Sequence, residues 1–418
     1  MHKLTDWVPN EWQRKQSACK LFVAICLYAC LPIQYAQAQT ALPLSTTAPM
    51  ACEDGVQTSG AAYRICMPSI WNGKLLVYAH GYVAPNKPLG IPQDQLTLPG
   101  GGGTIDQVAN TLGYAFATTG YSTNGLAVQP GIADLVDLVA LFEAQKGVPK
   151  KVLLVGISEG GGITALAVER YPEIFDGGLA LCGPYGSFVE QVDYFGDFRV
   201  LFDYFFPGLI PPTAVDVPTA LLDTWESSVY STTVKPVITD PANASQVDQL
   251  LAVAHTPFNA ANAASKEQSI SAVLWYNIYA TNDAKAKLGG QPFANPLSKR
   301  TYAGSADDTQ LNATVQRFDA DQAARDAIST SYETNGDLSR PLVTMHTTGD
   351  PVVPYRQAEL YASKVISTGS TALYDHIKVE AYGHCQFTSL DIFSAFNRLV
   401  TMVDNQLLVR SYLPLIIQ

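Results

Sequence analysis

The chain has 418 residues, 47% hydrophobic and 15% charged: ample for a large core and too weakly charged for a disordered or supercharged protein. Its 26 basic against 37 acidic residues give a net charge of −11, a surface that repels phosphate backbones and disfavours a nucleic-acid role. At the start, Arg14, Lys15 and Lys20 precede an apolar run from Leu21 to Ile33, and Ala36-Gln37-Ala38 follows with the small-x-small pattern a signal peptidase cuts after. That run is too short to cross a bilayer core of roughly 30 Å as a stable helix. Residues 1–38 are therefore read as a cleaved signal peptide, and the remainder as secreted or periplasmic. Asp6 and Glu11 lengthen the leading region and leave a later start open. No other stretch is apolar and long enough to span a membrane.

Residues Gln39 to Met50 are polar and contain Pro and Thr, which predicts a flexible lead-in. Ala62 to Met67 and Lys74 to Ala79 read as short strands, with a turn at Trp71-Asn72-Gly73 between them. Gly100 to Gly103 is loop, and it lacks the G-K-[ST] ending of a phosphate loop. Tyr114 to Thr118 is a third strand. Ile132 to Lys146 has helical spacing, with Ile132, Leu135, Val136, Val139 and Phe142 on one face and Gly147 as its stop. Lys151 to Val155 is an apolar strand, Glu159 to Tyr171 a helix stopped by Pro172, and Gly178 to Cys182 another buried strand.

From about Tyr185 to Leu338 the text turns to aromatic and Ala-rich helical segments. The alternation then returns with a strand from Pro341 to Thr347, a helix from Tyr355 to Val365, a strand from His376 to Tyr382 and a final helix from Gln386 to Asn405. Strands apolar throughout and alternating with helices predict an α/β fold, a mostly parallel sheet covered on both faces. The domain reading is a core over 39–184 and 339–418, interrupted by a helical insertion over 185–338.

Gly156-Ile157-Ser158-Glu159-Gly160 is a G-x-S-x-G sequence between an apolar strand and a helix. Its glycines permit a sharp turn that exposes the serine at the strand's C-terminal end; the plainer alternative is a helix N-cap serine. A nucleophilic serine needs a base and an orienting acid, in the chain order Ser, Asp, His on such a scaffold. Asp350 lies just past one downstream strand and His384 just past the next, at the same sheet edge as Ser158. His346 lies within a strand and reads as core, His376 begins a strand, and His255 sits in the insertion. After the strand ending at Ala79, His80-Gly81-Tyr82 turns so that the Tyr82 backbone N–H, with that of Glu159, can form an oxyanion hole.

The elbow, the His-Gly pair, Gly349-Asp350 with Val353-Pro354, and Gly383-His384, in this order, resemble the α/β-hydrolase superfamily over essentially all of the chain beyond residue 38. The resemblance implies a Ser–His–Asp hydrolase, with the insertion after the sixth strand where that superfamily carries a cap. His384-Cys385 is similar to the tannase and feruloyl-esterase group, in which a cysteine after the histidine bonds one directly before the serine. Ile157 holds that position here, so that bridge cannot form. Ser158-Glu159-Gly160-Gly161-Gly162 also resembles the elbow of secreted peptidases and amidases of the fold.

The function expected is a secreted carboxylic-ester hydrolase acting through Ser158, His384 and Asp350 on a small-molecule or polymer ester. An amidase or peptidase with the same residues is the first alternative, and a non-catalytic binding module the second. The Glu159 side chain either meets substrate or is held by the helix dipole. Tyr194, Phe195, Phe198, Phe202, Tyr204, Phe205 and Phe206 either line an acyl pocket or form the insertion's own core.

Of seven cysteines, Cys19, Cys26 and Cys30 lie in the signal segment and Cys52, Cys66, Cys182 and Cys385 remain. An even number in an exported chain predicts two disulfides. The short loop between Cys52 and Cys66 favours their pairing, leaving Cys182 for Cys385; the alternative is a buried free thiol at Cys182. No CxxC or HxxxH pair occurs, so neither a metal nor a cofactor is expected.

Overall fold

Strand sequences that are apolar at every position need cover on both faces. Leu75, Leu76, Val77 and Tyr78 are all buried in this way. The computed structural model describes residues 51–99 and 103–416, so the signal-peptide and lead-in expectations and Gly100 to Gly102 lie outside the described residues. Eight strands form one sheet: β1 (Ala51–Val56), β2 (Ala62–Met67), β3 (Lys74–Ala79), β4 (Ala115–Thr119), β5 (Lys151–Ile157), β6 (Gly177–Leu181), β7 (Leu342–Gly349) and β8 (Tyr374–Tyr382). Their spatial order is β1-β2-β4-β3-β5-β6-β7-β8. β2 runs antiparallel to both neighbours, and every other pairing is parallel.

Helices α2 (Val128–Lys146), α3 (Glu159–Arg170) and α11 (Arg356–Thr368) share one core with one face of the sheet. Helices α1 (Ile105–Thr111) and α12 (Ser389–Ile416) share another with the opposite face. α2 begins a turn earlier than the apolar spacing indicates, because Pro130 is tolerated in a first helical turn. It ends at Gly147, whose φ of +95° a side chain would resist.

The 182–341 connection between β6 and β7 holds α4 (Phe188–Phe205), α5 (Thr219–Thr224), α6 (Lys235–Ile238), α7 (Ala244–Val253), α8 (Ser265–Lys287), α9 (Asp308–Thr314) and α10 (Gln322–Ser331). Phe198 and Phe202 of α4 and Phe206 pack with Leu250 of α7 and Ile270 and Leu274 of α8. These aromatic residues are the insertion's own core. The guanidinium of Arg199, with no exposure, is held inside that core by Asp203 one turn on.

Two disulfides fasten the sheet. Cys52–Cys66 joins directly facing positions of β1 and β2, and Cys182–Cys385 links the end of β6 to the turn after β8, with 5.5 Å between Cα atoms. No helix among the described residues is long and apolar enough to cross a membrane.

Candidate active site

The parallel strands β5, β7 and β8 end at one edge, and the turns leaving them carry Ser158, Asp350 and His384. Ser158 sits at φ 57°, ψ −122°, a conformation that costs a non-glycine residue energy and holds only where its surroundings enforce it. The enforcement comes from the flanking glycines. A Cβ on Gly156 would lie 2.0 Å from the Gly160 carbonyl oxygen, and one on Gly160 would lie 2.1 Å from that of Ala79. Only bare backbone lets β5, the elbow and α3 approach so closely.

The His384 Nε2 lies 2.8 Å from the Ser158 Oγ, and its Nδ1 lies 2.7 Å from the Asp350 Oδ2. Asp350 has no solvent exposure. Its Oδ1 accepts the backbone N–H groups of Val352 and Val353 at 2.9 and 3.0 Å, so both oxygens are engaged. His346 is core, as its strand position indicates, and it braces this turn: its Nε2 lies 2.9 Å from the Val353 carbonyl oxygen. His376 is turned to Thr344 and Tyr355, and burial lowers its pKa to about 4. His255 stands at the end of α7, outside the site.

On the opposite side of Ser158, the loop after β3 is pinned by a residue the sequence reading missed. Gln95 accepts the Gly81 N–H at 2.7 Å and donates to the Tyr82 carbonyl at 3.3 Å. A Cβ on Gly81 would stand 3.2 Å from that of Ser158, so the loop runs against the nucleophile. The backbone N–H groups of Tyr82 and Glu159 donate to no acceptor among the described residues. Burial lowers the pKa of His80 to about 4; its neutral ring stacks on Tyr121.

The Glu159 side chain points away from the serine. Its Oε1 accepts the Ala127 N–H at 2.9 Å, just before α2, and burial raises its pKa to about 8.

Tyr276 of α8 was also missed. Its ring stacks on Phe195 at 5.4 Å and stands edge-on to His384 at 6.5 Å. Burial pushes its phenol well above the usual range, which leaves a neutral donor beside Ser158. α8 is tied to the histidine turn as well: the Tyr382 hydroxyl donates to the Ser265 carbonyl and lies 2.9 Å from the Ser269 Oγ.

The second disulfide pairs Cys182 with Cys385, as the sequence indicates, so Cys182 is not a free thiol. Ile157 is in register with Leu181, so Cys182 follows β6 as Ser158 follows β5. A bond from the residue before the serine is impossible here, but one from the neighbouring strand ties the His384 turn to the nucleophile's side of the sheet.

No protein-family model matches the chain, and no curated protein matches it. Solved structures are similar to it at low identity. An acylaminoacyl peptidase from Pyrococcus horikoshii is 10% identical over 80% of this chain and 38% of its own, with a TM-score of 0.40. Feruloyl esterase B from Aspergillus oryzae is 14% identical over 81% and 75%, at 0.41, and an esterase from Pyrococcus furiosus is 10% identical over 85% and 90%, at 0.43. The chain spans less than two fifths of the peptidase's length. The sheet order, the antiparallel β2 and the strand–elbow–helix unit at Ser158 make this an α/β-hydrolase fold.

Proposed function

We propose that the chain is an exported serine hydrolase that cleaves carboxylic esters. The observation that carries this reading is the unbroken relay from the Ser158 Oγ through both nitrogens of His384 to the buried Asp350. His384 takes the Ser158 proton as Oγ attacks the ester carbonyl, and the oxyanion forms against the Tyr82 and Glu159 N–H groups. Collapse of the tetrahedral intermediate expels the alcohol, which receives the proton from His384 and leaves an acyl-enzyme. Water, deprotonated by the same imidazole, then releases the acid and restores Ser158. Asp350 holds the ring in the productive tautomer and stabilises its positive charge.

The helical insertion acts in this reading as a cap, with Tyr276 its contribution to the reaction space. Export agrees with the two disulfides and with the signal-like start of the sequence. An amidase or peptidase would use the same relay. Against it, no charged side chain among the described residues lines the cleft at Ser158 to hold a peptide terminus.

The test sets p-nitrophenyl esters beside p-nitroanilide amides. Ester turnover with inert anilides is the result expected; anilide turnover at comparable rates would replace the ester reading with the amidase one.

A further inference from the structure

A cleft of about 520 Å³ opens at Ser158 and His384 and runs away from the insertion, between the sheet and helices α1 and α12. Its floor is built by the period-2 geometry of strands. Leu76 and Tyr78 of β3, Val155 and Ile157 of β5, and Leu179 and Leu181 of β6 all point to this face, while Leu75, Val77 and Leu154 point to the other. Val108 and Ala109 of α1 form one wall and Ile392 and Phe396 of α12 the other. The polar groups along it are largely spent on the protein: Tyr78 donates to the Gln95 carbonyl, Gln95 holds the loop at Gly81, and Ser389 donates to the Pro99 carbonyl.

An open, well-formed cleft with no charge, ending at a nucleophile, specifies its occupant by exclusion. Beyond the polar groups at Ser158, a sugar or a peptide would lose its hydration along the cleft without finding partners. A hydrocarbon chain loses nothing. Leu76 is level with Leu153 in the strand register, five residues below Ser158, so the floor extends about 16 Å from the serine, the reach of roughly a dozen carbons. Leu112, Leu390 and Phe393, 41%, 78% and 44% exposed, carry the apolar lining out to the surface between the two helices.

We infer that this cleft binds an unbranched aliphatic chain attached to the scissile group, so that the substrates are fatty esters. The inference rests on the ester-hydrolase reading for its chemistry, and on the cleft alone for its binding. Chain length is then read between α1 and α12.

The experiment has three arms. In the first, wild-type protein is given p-nitrophenyl esters from acetate to hexadecanoate, and in parallel alkyl acetates from ethyl to hexadecyl. Each buried methylene adds up to about fourfold in kcat/KM, so one series should climb and level off near a dozen carbons; the climbing series identifies the acyl or the alcohol chain as the occupant. In the second, calorimetry compares decanoate with acetate, which requires no turnover, and decanoate alone should bind. In the third, Ala109→Phe, which places a ring in the cleft, should move the optimum to shorter chains and weaken decanoate binding at least tenfold. Acetate-ester turnover with both series flat and decanoate unbound would overturn the cleft and leave the esterase. Decanoate binding without hydrolysis of any ester would overturn the esterase and leave the cleft. Should Ala109→Phe not fold, the wild-type arms still decide.

Discussion

Glu159 is the residue where position in the chain and role in the fold diverge. In the proposed mechanism its backbone N–H meets the oxyanion, whereas its carboxyl is buried against the Ala127 N–H with its second oxygen unpartnered. Burial raises its pKa from 4.5 to about 8. A carboxyl that holds its proton more tightly when folded contributes stability below about pH 4.5, and that contribution is lost as pH rises through 8. Glu159→Gln removes the titration and keeps the accepting oxygen. The unfolding free energy of the variant should fall less between pH 4.5 and 8, leaving it more stable than wild type by about 1–3 kcal/mol at pH 8. Denaturant titrations across that range check this; a wild-type slope in the variant would contradict it. Ser158 and His384 act as one unit in the proposed mechanism. Ser158→Ala and His384→Ala should each lower kcat by about 10⁴-fold or more, and the double variant by little further. Multiplying losses in steady-state kinetics would show that the two do not share a step.

At the scale of elements, the His384 turn is held by the disulfide to the end of β6, by the hydrogen bond from the Tyr382 hydroxyl to Ser265 of α8, and by two bonds to β7, Gly383 N–H to the Gly349 carbonyl and Thr347 hydroxyl to the Gly383 carbonyl. Replacing both cysteines with serine, Cys182→Ser with Cys385→Ser, leaves these hydrogen bonds intact and removes the covalent restraint next to His384. It should lower kcat at least tenfold, while far-UV circular dichroism at 25 °C stays native and Tm falls. Unchanged kcat would mean that backbone alone positions His384. α8 reaches the site through Tyr276. Tyr276→Phe keeps the stack on Phe195 and loses only the donor, worth about 1–1.5 kcal/mol, so kcat/KM should drop about fivefold to tenfold with the fold unchanged. A wild-type kcat/KM would reduce Tyr276 to packing. Element α1 escaped the sequence reading although Thr104 and Gln107 form a capping box at its start; that signal lay behind the glycine run. β1 escaped because an exposed edge strand carrying Glu53 and Asp54 has no apolar alternation to read.

Across the whole molecule, what was legible is what local chemistry dictates. Strands buried on both faces are apolar throughout, and the elbow at Ser158 demands glycines at fixed offsets, so the central sheet and the Ser158, Asp350 and His384 turns could be found in the text. The antiparallel β2 could not, since pairing direction leaves no mark on a six-residue strand. Gln95 and Tyr276 could not either: one is an ordinary polar residue in a short helical turn, the other lies 118 positions beyond the serine it faces. The apolar cleft was illegible for the same reason, its lining being drawn from three strands, three helices and the loops beside them, which meet only in the fold. Ser158 is an activated nucleophile in the proposed mechanism, and labelling with a fluorophosphonate followed by peptide mapping is the decisive measurement. Label is expected on Ser158 alone, lost in His384→Ala and accompanied by loss of p-nitrophenyl ester turnover. A folded protein left unlabelled at Ser158, or labelled at another residue, would contradict it.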